Sequence, residues 1–393
     1  MAGMISGMVV VGGGIGGLAA ALASARRVAK IHLIEQRAEF AEVGAGIQLG
    51  PNVVRVLQAW GLERALHAVA AFPGRLEVRS ALSGNRLGVL PLGPDIERRY
   101  GAPYVTIARA DMQAMLLHAV CQLSSVHLQL GTEVTDVFQN AAEVRIQTSR
   151  DEEITTPLLL AADGVWSRLR RHVVDDGPPR VTGHLAFRAL VRQAELSATL
   201  RSQVVTAWLG PHFHVVQYPV RSGEWLNVVA VVRGQVQGDP QSWDHSANAA
   251  ELRTRLANAA APLNDLIRAI DCWRLWPLSD RPPMQGAHEH ARGRIALLGD
   301  AAHPMRPYLA QGAGMAIEDA SALAGLLPAA SDGVAQSLQS YAQRRWQRNA
   351  RVQKGAIRNG EIYHMRGFVQ IARDLSLRLL GEKIMDMPWL YEA

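Results

Sequence analysis

The sequence predicts an α/β fold in which a Rossmann-like domain is interleaved with a mixed β-sheet domain and followed by a C-terminal helical region. Three observations carry that prediction. Near the start, an apolar β-branched run turns through closely spaced glycines into an alanine-rich helix. Two later apolar runs end at an Asp-Gly and a Gly-Asp pair, repeating the strand–turn geometry of ligand sites in open α/β sheets. Between those two runs, residues 184–235 hold successive strand candidates, "AFRALVR", "VVTAWLG", "HFHVVQYPV" and "LNVVAVVRG".

The first run is "GMVVVGGGIGGLAAALASA", with Gly12-x-Gly14-x-x-Gly17 between strand and helix. In that order Gly12 makes the turn, Gly14 lets a pyrophosphate approach bare backbone, and Gly17 lets the helix pack on the strand. The helix start offers unpaired N–H donors and a positive dipole end to phosphates. The next strand, "AKIHLIE", ends at Glu35, placed to accept ribose hydroxyls. Together these predict a dinucleotide site, with NAD and FAD both open.

Further on, "EVGAGIQLGPNVVRVLQAWGL" is a glycine-punctuated loop and helix whose Gly44 and Gly46 could pass close to a flat ring. Arg109 opens the helix in "TIARADMQAMLLHAV", with Asp111 in its first turn. In "PLLLAADGVWSRLRRHV" a short strand, an Asp163-Gly164 turn and a basic helix are expected. The last strand, "RGRIALLGD", carries Asp300 at its carboxyl end, available to a polyol hydroxyl. Beyond a Pro304 loop, the helix starting at Gly312-Ala313-Gly314 has no Ser or Asp cap, so its N–H groups need another acceptor. A flavin pyrimidine edge, which gains negative charge on reduction, is such an acceptor.

The whole chain of 393 residues, 48% apolar, can build a large core. Its 41 basic and 35 acidic residues show no like-charge run that would argue for nucleic acid. No window has the ~18 apolar residues a membrane span requires, and the glycine-rich start reads as the first turn of a cytoplasmic enzyme. Cys121 and Cys272 sit in no metal or disulfide spacing and read as buried small hydrophobes. His212-x-His214 and His288-x-His290 lack a neighbouring third ligand, so no metal is expected.

With "GGGIGG" plus Glu35, "AADGVWSRLR" and "GDAAHPMRPYLAQGAGMAIEDA" in that order, the sequence resembles the FAD-dependent aromatic-ring hydroxylases, single-component flavoprotein monooxygenases. The resemblance covers nearly the whole chain. The 3-hydroxybenzoate 6-hydroxylase and 6-hydroxynicotinate 3-monooxygenase branches look closest, from "GAGIQLGPN" and "GPHFHVVQYPVRSGE", with the salicylate hydroxylases in the same group. It implies a GR2-type FAD-binding domain over 1–72, 100–176 and 274–340, a substrate domain over 73–99 and 177–273, and a helical region over 341–393. Gly12, Gly14, Gly17, Glu35, Arg109 and Asp300 would hold FAD, with Asp163 supporting the site and Gly46, Gly312, Ala313 and Gly314 close to the flavin.

The resemblance also implies a chemistry. NADH or NADPH, bound transiently without a second fingerprint of its own, would reduce FAD, and oxygen from O₂ would pass to an electron-rich ring carbon of a small aromatic acid. In "GPHFHVVQYPV", His212, His214, Val216 and Tyr218 alternate onto one strand face. On the residues alone a core histidine and a half-buried tyrosine are the better explanation. The related hydroxylases turn the matching pair toward substrate, making His214 a base and Tyr218 an orienting group. Gln48, Pro304 and Tyr308 would line the pocket. A hydroxybenzoate, a salicylate-like acid and a hydroxypyridine carboxylate remain open, as do a homodimer and a flavin-dependent reductase or sensor without oxygen transfer.

Overall fold

The computed structural model describes residues 4–40, 46–235, 239–241, 245–246 and 249–392; Gly44 lies outside them. By packing, the chain divides into two compact units, 1–42, 112–180 and 279–356 in the first and 43–111, 181–278 and 357–393 in the second.

The first unit is built on a six-stranded sheet ordered Ala291–Arg292, Ile295–Leu297, Leu159–Ala161, Met8–Val11, Ile31–Ile34, Val126–Gln129. Every neighbouring pair runs parallel except the first. Met8–Val11, Leu159–Ala161 and Ile295–Leu297 are buried at every residue, which is why they read as unbroken apolar runs. Val9, Val11, Leu159, Ile295 and Leu297 share a core with Val137 and Ile146. The latter two come from an antiparallel sheet of Val134–Gln139, Val144–Thr148 and Glu153–Thr156. The helices Ile15–Ser24 and Gly312–Leu326 approach so closely that a Cβ on Gly16 would meet Leu298 at 2.8 Å and Ala316 at 3.4 Å.

The second unit holds an eight-stranded mixed sheet ordered His245–Ser246, Arg274–Asp280, Arg180–Arg192, Trp225–Arg233, Phe213–Val220, Val205–Gly210, Arg75–Ser80, Arg86–Pro91. Val205–Gly210 pairs parallel with Arg75–Ser80 and antiparallel with Phe213–Val220. One face packs Phe187, Phe213, Val215 and Val228 against Leu252, Leu263 and Ile267 of two helices. On the other, Val78, Leu87 and Leu209 meet Leu377 of the helix Gly367–Met385. Gly46–Leu49 and Val105–Ala108 form a separate antiparallel ribbon.

Several expectations change here. Residues 46–72 and 100–111 group with the second unit, where the Gly46 N–H donates to buried Asn227 Oδ1 at 2.7 Å and the Thr106 hydroxyl to the Pro219 carbonyl. The helix Val334–Tyr363 divides between the units at Ala356. After Asp163-Gly164 the expected basic helix shrinks to the 3₁₀ turn Leu169–His172. Buried Arg170 reaches Asp176 at 2.8 Å and the Ala301 carbonyl at 3.1 Å, and those tertiary bonds override the local helical pattern. Cys121 and Cys272 are exposed, the first at the last position of its helix and the second in the link ahead of Arg274–Asp280. His212 lies outside the strand, in a turn at φ 65°. Among the described residues no helix is long and apolar enough to cross a membrane.

Within the first unit, the Gly299–Pro304 loop is tied down by one carboxylate. Asp319 Oδ2 accepts from His303 Nε2 at 2.6 Å and Gly299 N at 3.2 Å, while Oδ1 accepts from Arg345 Nε at 2.7 Å and Asn349 Nδ2 at 3.1 Å. Burial alone would raise its pKa, but His303 and Arg345 outweigh that and hold the carboxyl well below the usual range. Arg345→Met should therefore lower unfolding free energy by about 3 kcal/mol or more, because it strips a buried carboxylate of its cation; urea denaturation of the purified protein measures this.

Candidate active site

Gly12, Glu35, Asp163 and Asp300 each follow the carboxyl end of one of four strands that are neighbours in the parallel sheet, so they gather along one edge, where open α/β sheets bind ligands. Gly12 has φ 107°, and a Cβ there would collide with the Ala162 carbonyl. A Cβ on Gly17 would collide with the Gly12 carbonyl, so both glycines are dictated by backbone contact. Gly14 differs. A Cβ on it would meet no described residue within 4 Å, and it caps the Ile15–Ser24 helix with no side-chain hydrogen bond, leaving its first N–H groups without a side-chain cap.

Glu35 braces this turn, accepting from Gly13 N at 2.6 Å with Oε2 and from Arg37 N at 2.8 Å with Oε1. Each oxygen keeps acceptor capacity. Asp300, half-buried in the turn Gly299–Ala301, makes no hydrogen bond with a described residue, and its Oδ1 lies 3.8 Å from where a Gly312 Cβ would stand. The helix Gly312–Leu326 likewise has no side-chain cap, so Gly312, Ala313 and Gly314 present N–H groups beside that carboxylate. Asp163 Oδ2 accepts from Arg168 N and Leu169 N, while Oδ1 is buried without a partner among the described residues. Desolvation raises its pKa. An uncapped helix start, open backbone at Gly14 and two carboxylates with spare acceptors fit a flavin dinucleotide's pyrophosphate and polyol. Pro304 is buried beyond the same turn, its carbonyl accepting from Gln353, and Tyr308 is buried in the turn Pro307–Leu309.

In the second unit, Gly46 pairs with Ala108, so Gly46 and Arg109 stand at one end of the same ribbon. The ring that Gly46 approaches within this unit is that of Tyr218: an added Cβ would come 2.5 Å from Tyr218 Cε2 and 3.0 Å from Asn227 Cγ. Gln48 Oε1 accepts from the Tyr104 hydroxyl at 2.8 Å. His214 and Tyr218 are both buried on the strand Phe213–Val220, on the face opposite Phe213 and Val215. Desolvation, with His364 and His184 nearby, lowers the His214 pKa well below its usual value, so the ring is neutral. Burial pushes the Tyr218 phenol up, so it is a donor at neutral pH.

Sequence reasoning missed His364. It ends the Val334–Tyr363 helix, and its Nε2 lies 2.8 Å from His214 Nδ1, with the Tyr363 ring 5.2 Å from that of His214. No local pattern signals a contact 150 residues apart in sequence. It also missed that His290, His303 and Asp319 converge with ligand atoms within 4.8 Å of one another. Asp319 already accepts four hydrogen bonds, one from Arg345, whose cation disfavours a metal there.

A strand–glycine–helix cradle at the carboxyl edge of a parallel sheet in one unit, and a mixed sheet packed with helices in the other, define the fold of the FAD-binding flavoprotein hydroxylases. Residues 6–356 match the FAD binding domain family, and the chain belongs to it. It is 34% identical to a 3-hydroxybenzoate 6-hydroxylase of Polaromonas naphthalenivorans, over 98% of this chain and 95% of that one. It is also 34% identical to a 6-hydroxynicotinate 3-monooxygenase of Bordetella bronchiseptica, over 88% and 89%. A solved salicylate hydroxylase in substrate complex superposes with a TM-score of 0.81 at 28% identity, over 99% and 96%.

His214 and His290 are enclosed and held neutral, the latter with its pKa lowered to about 3 by burial. Their folded pKa values lie below the unfolded value of 6.5, so below that pH the unfolded chain binds protons that the folded one refuses. Stability should be full above pH 6.5 and fall on acidification, by up to about 1.4 kcal/mol per pH unit for each site. Thermal unfolding of His290→Gln between roughly pH 6 and 4.5 should show a shallower pH slope than wild type.

Proposed function

We propose that this chain is an NAD(P)H- and O₂-dependent FAD monooxygenase that hydroxylates a small aromatic acid of the hydroxybenzoate or salicylate type. The observation that carries the reading is the buried pair of His214 and Tyr218, a neutral imidazole and a protonated phenol on a single strand face, in a chain that matches a 3-hydroxybenzoate 6-hydroxylase over nearly its whole length. Gly12, Gly14 and Gly17 with the first helix start would receive the pyrophosphate, Glu35 the adenosine ribose, and Asp300 the ribityl hydroxyls. The N–H groups at Gly312, Ala313 and Gly314 would face the pyrimidine edge, with Asp163, Arg109 and Gly46 completing the FAD contacts. Bound FAD would supply the two-electron chemistry that accepts hydride from NAD(P)H and activates O₂.

His214 would accept a hydrogen bond from the substrate phenol or act as its base, raising electron density in the ring. Its Nδ1 lies 2.8 Å from His364 Nε2, a contact that orients the imidazole. Tyr218 donates its hydroxyl to the substrate's oxygen or carboxylate and holds the ring in register. By the likeness to these hydroxylases, Gln48, Pro304 and Tyr308 would be the residues that line the substrate pocket and exclude water. The reading has the enzyme work in the cytoplasm, where reduced nicotinamide is available, as a homodimer.

The Bordetella relative favours a second reading, a decarboxylating 3-hydroxylation of a hydroxypyridine carboxylate. Purified FAD-loaded protein should consume NADH or NADPH faster with the right acid present and yield a hydroxylated product by mass spectrometry. Hydroxylated product from a hydroxypyridine carboxylate, with none from a hydroxybenzoate or salicylate, would select the second reading, and peroxide with no hydroxylated product would reduce the protein to a flavin reductase or sensor. His214→Gln should lower kcat by about 10²–10⁴-fold with flavin content unchanged. Gly14→Ala should leave apoprotein stability within about 1 kcal/mol, since its added methyl meets open space, yet weaken FAD binding measured by fluorescence titration.

A further inference from the structure

The helix Gly367–Met385 has two unlike faces. Leu377 is buried in a cluster with Val78 and Leu87, and Gly381 lies against Gly88, with an added Cβ only 3.1 Å from Gly88 Cα. That side anchors the helix. The other carries Phe368, Ile371, Leu375 and Leu379, spaced to share one stripe, with Val369 and Leu380 flanking it. Phe368 is 91% exposed and Leu379 72%.

We infer that this stripe is the interface between two copies of the chain, packed antiparallel about a two-fold axis. The inference names the surface of the homodimer in the reading above and does not depend on the substrate. At roughly 150–200 Å² for a large apolar side chain, the six residues at their observed exposures present on the order of 600–700 Å². A single soluble chain rarely shows an apolar patch above about 600 Å². A standard interface takes about 800 Å² from each partner, of which about two-thirds is apolar in homodimers, so this one stripe meets the requirement.

Shape agrees with area. With the axis at the middle of the stripe, near Leu375, the inferred packing would set Ala372 opposite Leu379 of the second copy, small against large. The charges on this helix argue against a lipid surface as the occupant. Arg373 is paired with Asp374 at 2.7 Å and Glu382 with Arg99 at 3.0 Å, leaving Arg378 and Lys383 as its cations without an ion pair to a described residue. Helices that lie on membranes carry a basic polar face, and this one does not.

Sedimentation of the FAD-loaded enzyme at about 10 µM tests the inference. Wild type should run as a dimer. Leu375→Arg and the double variant Ile371→Glu/Leu379→Glu should raise the dissociation constant at least a hundredfold with flavin content and circular dichroism unchanged. As a gain-of-signal control, Leu375→Cys in a Cys121→Ser/Cys272→Ser background should form an intermolecular disulfide under mild oxidation. A monomeric wild type, variants that dimerise as tightly as wild type, or flotation with phosphatidylcholine–phosphatidylglycerol vesicles that Leu375→Arg abolishes would each overturn it. Hydroxylation is assayed separately, so an inactive protein that still dimerises through this stripe refutes only the catalytic reading.

Discussion

Four donors converge on the buried carboxylate of Asp319, and the geometry of the first unit's edge rests on that convergence. Gly299 N and His303 Nε2 come from the turn that carries Asp300, whereas Arg345 and Asn349 come from the long helix Val334–Tyr363. Asp319 itself lies seven residues into the helix that starts at Gly312. One side chain therefore fixes the Asp300 turn, the uncapped helix start and the loop through Pro304 as a single piece. A carboxylate taken out of water has to find such partners, which makes the arrangement demanding and also specific. Because Asp319 is saturated by protein donors, Asp300 nearby is left as the acceptor with capacity for a ligand.

The second unit uses a neutral version of the same device. Asn227 Oδ1 takes the Gly46 N–H, and the missing Cβ at Gly46 lets the ribbon settle against Tyr218. That fixes the tyrosine ring and, through the ribbon, the position of Arg109. His214, on the same strand face, is held from the other direction by His364 and Tyr363. A rigid acceptor and a rigid donor, both desolvated, give hydrogen bonds more weight than the same groups would have in water.

Much of this was legible before any coordinates. The glycines at 12, 14 and 17 announce their turn because only glycine satisfies φ 107° at the first and backbone contact at the third. Glu35, Asp163 and Asp300 were readable from their places at the ends of apolar runs, and the uncapped start at Gly312 from the lack of a Ser or Asp before it. What could not be read were the partners. Arg345 is one arginine among several on an amphipathic helix, and nothing local marks it as the counter-ion of a residue 26 positions earlier. The helix expected after Asp163 failed for a related reason: Arg170 found buried acceptors elsewhere, and those bonds outweighed helix propensity.

The grouping of residues 46–72 and 100–111 is the clearest case. Their pattern of loop, helix and strands reads as a continuation of the Rossmann-like domain, yet they pack with the mixed sheet. Local sequence specifies backbone conformations and apolar periodicity, since both act over a few residues through sterics and burial. It therefore sets the strands, the glycine turns and the acids at their ends. Which sheet a segment joins, which of thirteen histidines meet, and which cation neutralises a buried acid depend on contacts between distant residues. Those contacts gain free energy only after the chain has folded, and folding had to bring Gly46 to Asn227, His214 to His364 and Arg345 to Asp319.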